Sequence, residues 1–256
     1  MRVAIVQYDI AWQNPSENFH KINSLLADVK ADVIVLPEMF NTGFNMQPEQ
    51  LSKSDQLRSL SFLQQLSEEK QASVLASSIW FDGEAYFNRL FYCQPQKRVQ
   101  HYDKRHLFAF AGEDKHFSRG DQRLQVEQDG VSMLPLICYD LRFPVYSRNI
   151  STKPYDVLFY VANWPEARIE AWDALLKARA IENQCFVVAV NRVGKDHNGI
   201  EYNGHSMVID PYGKLLGKCP DNQEQVLEID LDMELLKAFR KKFPVLTDAD
   251  DFEITN

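Results

Sequence analysis

The chain has 256 residues, 45% hydrophobic and 25% charged, which is enough for one large domain with a substantial core. Its 28 Lys and Arg against 36 Asp and Glu give a net charge of −8, which argues against a nucleic-acid partner. No apolar stretch is long enough to span a bilayer, and Met1-Arg2-Val3-Ala4-Ile5-Val6-Gln7 lacks a signal peptide's long apolar region, so a cytoplasmic protein without membrane contact is expected.

In chain order, Val3 to Gln7 reads as a short apolar strand, and Ser16 to Val29 has helical spacing with Pro15 and Ser16 as its start. Asp32 to Pro37 is a buried strand. Asp55 to Lys70 is an amphipathic helix with Leu57, Leu60, Leu63 and Leu66 at helical intervals. Ser73 to Trp80 is a strand, followed by two antiparallel strands, Tyr86 to Cys93 and Val99 to Tyr102. A loop rich in charge and aromatics runs from Lys104 to Gly120. Strands at Leu124 to Val126 and Val131 to Ile137 flank an Asp129-Gly130 turn. Phe143 to Ile150 reads as a short helix, Asp156 to Ala162 as a strand, Pro165 to Asn183 as a helix and Phe186 to Asn191 as a strand. Ser206 to Ile209 and Lys214 to Gly217 flank Pro211-Tyr212-Gly213. Gln225 to Ile229 is the last strand, Asp232 to Phe243 the last helix, and residues 244–256 an acidic, extended tail.

Strands alternating with helices, together with strand–turn–strand pairs, predict an α/β fold with mixed sheets and helices on the outer faces. Several strands are apolar throughout, so both of their faces should be buried. Periodicity does not decide between one twisted sheet and two stacked ones.

Ligands in such folds sit beyond the carboxyl ends of the strands. Four polar residues end apolar strands here: Glu38, Cys138, Asn163 and Asn191. Cys138 closes Met133-Leu134-Pro135-Leu136-Ile137 and should enter a helix start, where the dipole and free N–H groups would lower a thiol pKa. The bland alternative is a small core filler. Glu38 follows Val33-Ile34-Val35-Leu36-Pro37, and desolvation there would raise its pKa toward that of a useful base. Lys104, in Tyr102-Asp103-Lys104-Arg105-His106, reads by itself as part of a solvated basic cluster. Beside a reacting carbonyl it would stabilise an oxyanion, together with a backbone N–H near Tyr139. Glu113 is a loop acid, a type that is usually solvated. Acid, amine and thiol together suit amide hydrolysis.

The remaining cysteines, Cys93, Cys185 and Cys219, form no pair, and reduced thiols are expected. His106, His116 and His205 read as structural or exposed. No His and Cys have metal-site spacing and no nucleotide fingerprint is present, so neither a metal nor a cofactor is expected.

Leu36-Pro37-Glu38, Tyr102-Asp103-Lys104 and Cys138-Tyr139-Asp140-Leu141-Arg142-Phe143-Pro144 resemble, in order, the three signature segments of the nitrilase superfamily of carbon–nitrogen hydrolases. The resemblance covers nearly the whole chain. It implies one domain over 1–256 folded as a four-layer αββα sandwich of two mixed sheets, assembled as a homodimer or larger. By motif, Glu38 would be the base, Lys104 the oxyanion stabiliser, Cys138 the nucleophile and Glu113 the second active-site acid. Tyr160-Val161-Ala162-Asn163-Trp164-Pro165 and Ala178-Arg179-Ala180-Ile181-Glu182-Asn183-Gln184 look like the bacterial omega-amidases, which act on 2-oxoglutaramate and related 2-oxoacid amides. Many superfamily members carry an acid where this chain has Val145. A 2-oxoacid amide brings a carboxylate, for which Arg142 and Arg168 are candidates. Either could equally form a surface or capping ion pair. Asn163, Tyr139 and Trp164 are further candidates for the pocket, although aromatics often simply pack. Other amidases, a carbamoyl-amine hydrolase or a binding protein without turnover are the alternatives.

Overall fold

The computed structural model describes residues 1–250. Its first sheet is built from β1 (Arg2–Gln7), β2 (Val33–Val35), β3 (Ser73–Phe81), β4 (Tyr86–Cys93) and β5 (Gln100–Asp103). The second sheet takes β6 (Val126–Gln128), β7 (Val131–Ile137), β8 (Val157–Ala162) and β9 (Phe186–Asn191). A small hairpin, β10 (Val193–Lys195) and β11 (Glu201–Asn203), stands apart. Next, β12 (Met207–Ile209) and β13 (Leu215–Lys218) complete the second sheet, and β14 (Gln225–Asp230) returns to the first.

The strand orders are β14-β1-β2-β3-β4-β5 and β13-β12-β9-β8-β7-β6. Each sheet has a parallel trio, β1-β2-β3 or β7-β8-β9, with antiparallel strands on either side. The parallel trios need crossovers. Three helices supply most of these, namely α1 (Pro15–Leu25), α2 (Lys53–Lys70) and α4 (Ile169–Asn183), while the short α3 (Pro144–Ser147) lies between β7 and β8.

Alternation along the strands decides which face meets which layer. On β1, Val3 and Ile5 point inward with Val33, Val35 and Leu75, against Met133, Phe159 and Val188 of the second sheet. Ala4 and Val6 point outward, with Ile34 and Val74, onto Phe19, Ile22 and Leu63 of α1 and α2. Helix α4 packs on the second sheet through Trp172, Leu176 and Ala180. The layers are therefore helix, sheet, sheet, helix, the αββα sandwich expected. The last helix, α5 (Met233–Lys242), is N-capped by Asp232.

Several local boundaries differ from expectation. The first helix ends at Leu25, because beyond it the Ala27 and Val29 N–H groups bond three residues back, to Ser24 and Leu26, instead of continuing the four-residue ladder. The helix expected over 143–150 is confined to Pro144–Ser147, as Arg148 turns extended and Asn149 is held by Asn183. Glu166–Arg168 is a 3₁₀ turn rather than the first turn of α4. The chain turns in a 3₁₀ helix over Val245–Asp248, burying Leu246, where an extended tail was expected; residues 251–256 lie outside the described residues. No helix among the described residues is long and apolar enough to cross a membrane.

Candidate active site

The strand ends deliver their polar residues to one place. Glu38 lies just past β2 and is fully buried. The chain turns sharply after it, with Met39 in the left-handed region at φ 45°, and Ser77 of β3 holds the turn by accepting the Met39 N–H at 2.9 Å. Cys138 lies just past β7, also left-handed at φ 44°. A non-glycine residue there is strained by about 1–3 kcal/mol, so the surroundings must fix it. Asp140 does so. Its Oδ2 accepts the Ile137 N–H at 3.0 Å and the Tyr102 hydroxyl at 2.8 Å, and its Oδ1 accepts the His106 N–H at 3.1 Å. One buried carboxylate thus ties the cysteine turn to the segment that carries Lys104. On the other side of that segment, Gly120 donates its N–H to the Lys104 carbonyl. A Cβ at Gly120 would meet the Asp103 carbonyl oxygen at 2.2 Å, so only glycine allows this approach.

Lys104 is fully buried between two carboxylates. Its Nζ lies 2.8 Å from Glu38 Oε1, and 3.1 and 2.9 Å from Glu113 Oε1 and Oε2. Glu113, on a 3₁₀ turn, is also fully buried rather than solvated, and its Oε2 accepts the Phe108 N–H at 2.6 Å. The other oxygen of Glu38, Oε2, accepts the Asn163 N–H at 2.9 Å, while the Asn163 amide donates to the Glu38 carbonyl at 2.5 Å. Asn191 supports this corner from behind, accepting the Trp164 N–H at 2.7 Å.

Burial works against the Lys104 charge, but Glu113 and Glu38 outweigh it, and the ammonium is held above its ordinary range. Burial raises the Glu113 carboxyl, Lys104 opposes this and Glu38 adds to it. For Cys138, burial first and the Glu38 carboxylate second push the thiol well above its usual range, against the pull of Lys104. This corrects the expected lowering. Cys138–Arg142 is a 3₁₀ turn of five residues with few aligned peptide dipoles, and the nearby group of one ammonium and two carboxylates carries an excess negative charge. Freeing the thiolate therefore calls for a base, and the Glu38 carboxylate acts on the thiol at close range.

Beside this cluster lies a cavity of about 110 Å³ reached by Lys104, Cys138, Tyr139, Arg142, Asn163, Trp164 and Arg168. Arg142 lies over the Trp164 ring at 4.8 Å, and Arg168 over Phe108 at 5.3 Å. Neither guanidinium pairs with a carboxylate among the described residues, which disfavours the surface ion pair for both. Trp164 is 3% exposed and donates its indole N–H to the Arg168 carbonyl at 2.8 Å, so it both packs and forms a wall.

Three groups of residues at the site went unread in the sequence. The β10–β11 hairpin supplies Asp196, Asn198, Ile200 and Tyr202. Asp196 is occupied there: it accepts the N–H groups of Asn198 and Ile200 at 2.9 and 3.0 Å and the Tyr202 hydroxyl at 3.1 Å. Phe44 and Met46 come from the loop after Glu38. Asn88, fully buried on β4, touches both carboxylates. Its available signal was an amide within the ring-rich run Tyr86-Phe87-Asn88-Arg89-Leu90-Phe91-Tyr92.

The sequence profile of the carbon-nitrogen hydrolase family matches residues 2–241. The chain belongs to that family. Over 253 residues, 98% of either chain, this hydrolase is 40% identical to an omega-amidase YafV of Yersinia enterocolitica. It is 34% identical, over 96% of each chain, to a 2-oxoglutaramate amidase of Bacillus subtilis. Among solved structures it resembles XC1258 of Xanthomonas campestris, a CN-hydrolase superfamily protein with an arsenic adduct in its active site. The TM-score is 0.96 and the identity 38%, covering 100% of this chain and 99% of that one.

Proposed function

We propose that this carbon–nitrogen hydrolase is an omega-amidase, cleaving the terminal amide of small 2-oxoacid monoamides such as 2-oxoglutaramate to the dicarboxylic acid and ammonia. The observation that carries the reading is the sharing of one small cavity by Cys138 and the unpaired guanidiniums of Arg142 and Arg168. The amidases to which the chain is similar support it.

On this reading Glu38 takes the Cys138 proton as the sulfur attacks the amide carbon. The Lys104 ammonium and the Tyr139 N–H, in the unsatisfied first turn of the 3₁₀ segment, receive the developing oxyanion. Glu38 then gives its proton to the departing nitrogen, ammonia leaves and a thioester remains. Glu38 next takes a proton from water, whose oxygen attacks the thioester. The acid departs and the proton returns to the sulfur. Glu113 holds Lys104 in place. Arg142 and Arg168 take the substrate carboxylate, with Asn163, Tyr139 and Trp164 around the chain between.

An α-ammonium finds no free partner beside two guanidiniums, because Asp196 is committed to its own hairpin. Ammonia release should therefore be fast from 2-oxoglutaramate, slower from succinamate and poor from glutamine. Replacing both Arg142 and Arg168 by Gln should lower kcat/KM for 2-oxoglutaramate about 100-fold or more, with little change for an uncharged amide of similar length. Preference for an uncharged amide in the unaltered enzyme would make it an aliphatic amidase, and carbon dioxide from N-carbamoyl-β-alanine a carbamoyl hydrolase.

The proposed setting is a homodimer in the cytoplasm. All four cysteines are unpaired and buried, in keeping with a reducing compartment. Exposed Tyr212 and Phe243 flank Phe239 in a ring cluster that suits self-association.

A further inference from the structure

We propose that Asn88 is a positioning residue that stabilises the Glu38 carboxylate and aims it at Cys138, and separates it from Glu113 across Lys104. The proposal rests on the roles given above to Glu38 and Cys138.

Asn88 meets the cluster through two of its groups. Its side-chain amide nitrogen donates to Glu38 Oε1 at 2.7 Å and to Glu113 Oε1 at 3.1 Å. Those are the same two oxygens that Lys104 Nζ binds, at 2.8 and 3.1 Å. Two nitrogens and two oxygens therefore close a ring of alternating donors and acceptors. In addition, the Asn88 carbonyl accepts the Lys104 backbone N–H at 3.0 Å. One residue of β4 fixes the backbone of the lysine and the carboxylates on both sides of its ammonium.

The partners determine which way the amide faces. Turned over, its oxygen would point at two carboxylates. As it stands, Oδ1 is buried without a partner, a penalty that the two charge-assisted bonds outweigh. The residue type also follows. Glu38, Glu113 and Lys104 together carry one excess negative charge, and passage of the Cys138 proton to Glu38 moves that charge onto the sulfur without changing the total. These are the titratable groups facing Glu38. On β4 itself, Arg89 is paired away with Asp103 at 2.6 Å. A neutral double donor stabilises both carboxylates without drawing Lys104 from either. An added cation would compete with Lys104 for them, and an added carboxylate would repel them.

The test compares Asn88→Leu and Asn88→Asp with the unaltered enzyme, using kcat/KM against pH for 2-oxoglutaramate and the pH dependence of Cys138 alkylation by iodoacetamide. Leucine has similar volume and no donor. Its kcat/KM should fall about 10- to 100-fold, mostly in kcat. With a donor lost, the Glu38 carboxylate holds its proton more readily, so the acidic limbs of both profiles should move to higher pH. Asn88→Asp, nearly identical in shape, should lose more at pH 8 and recover part of the loss as pH falls. If the leucine variant does not fold, the aspartate variant carries the test alone. Unmoved limbs in a folded variant, or activity lost only in step with thermal stability, would overturn the proposal. The alkylation arm needs no substrate. If the unaltered enzyme ignores 2-oxoacid amides, the functional reading fails while Asn88 is still tested.

Discussion

Cys138→Ala should abolish ammonia release from every amide the enzyme accepts, with kcat/KM falling by at least about 10⁴-fold. In the proposed mechanism the remaining groups can still bind the substrate, polarise its carbonyl and offer a proton, but no atom is left to form the acyl bond. The fold should survive. Cys138 is 8% exposed at the cavity edge, and its sulfur makes a long 4.0 Å contact with the Asn163 carbonyl. Alanine keeps the Cβ and meets the same left-handed backbone, so the loss is about 1 kcal/mol and a few degrees in Tm. Ammonia assay with thermal unfolding checks both halves. The unaltered enzyme, quenched during turnover, should carry the acyl group on Cys138 by mass spectrometry. Appreciable turnover in the alanine variant would remove the sulfur from the reaction.

Lys104→Met should be the most damaging change to stability, in a pH-dependent way. Methionine nearly matches lysine in shape, so the lost quantity is charge. Two fully buried carboxylates, Glu38 and Glu113, would face each other without a cation, at a cost of about 3–5 kcal/mol near neutral pH. Burial already raises the Glu113 carboxyl while Lys104 opposes it, and without Lys104 the rise would be larger. A carboxyl whose folded pKa lies above its unfolded value contributes stability fully below the unfolded value, about pH 4, and loses it as pH rises through the folded value. The gap in Tm between variant and unaltered enzyme should therefore be large at pH 8 and shrink toward pH 5. A gap independent of pH would mean that Lys104 acts by packing alone. Turnover should be lost at every pH, since in the proposed mechanism Lys104 is the cation that receives the oxyanion.

The strand ends were the legible part of the site. Glu38, Cys138 and Asn163 each follow an apolar run, and the topology alone brings such residues together. Lys104 and Glu113 were not legible by position. A lysine in a basic cluster and an acid on a loop are usually solvated, and their burial arises only because the loop from Lys104 to Gly120 folds back over Glu38. The motif resemblance, rather than periodicity, singled them out. The hairpin around Asp196 was missed because Asp196-His197-Asn198-Gly199 is polar and glycine-containing, the composition of an ordinary loop. Asn88 was missed because a single amide in a strand carries no period. The two-sheet sandwich could not be read from alternation, since strands such as β1 are apolar on both faces. The sign of the thiol shift was misjudged because a helix dipole was expected where five residues make a 3₁₀ turn beside a net negative charge.

The pairing of β14 with β1, residue for residue from Arg2↔Asp230 to Gln7↔Gln225, has a consequence for synthesis on the ribosome. β1 is synthesised more than 200 residues before β14, the strand that covers its outer edge. Until then a nascent chain already holding Glu38, Lys104 and Cys138 presents an unpaired row of peptide groups to its neighbours. Early termination upstream of residue 225 should therefore yield polypeptide that aggregates rather than a smaller working enzyme.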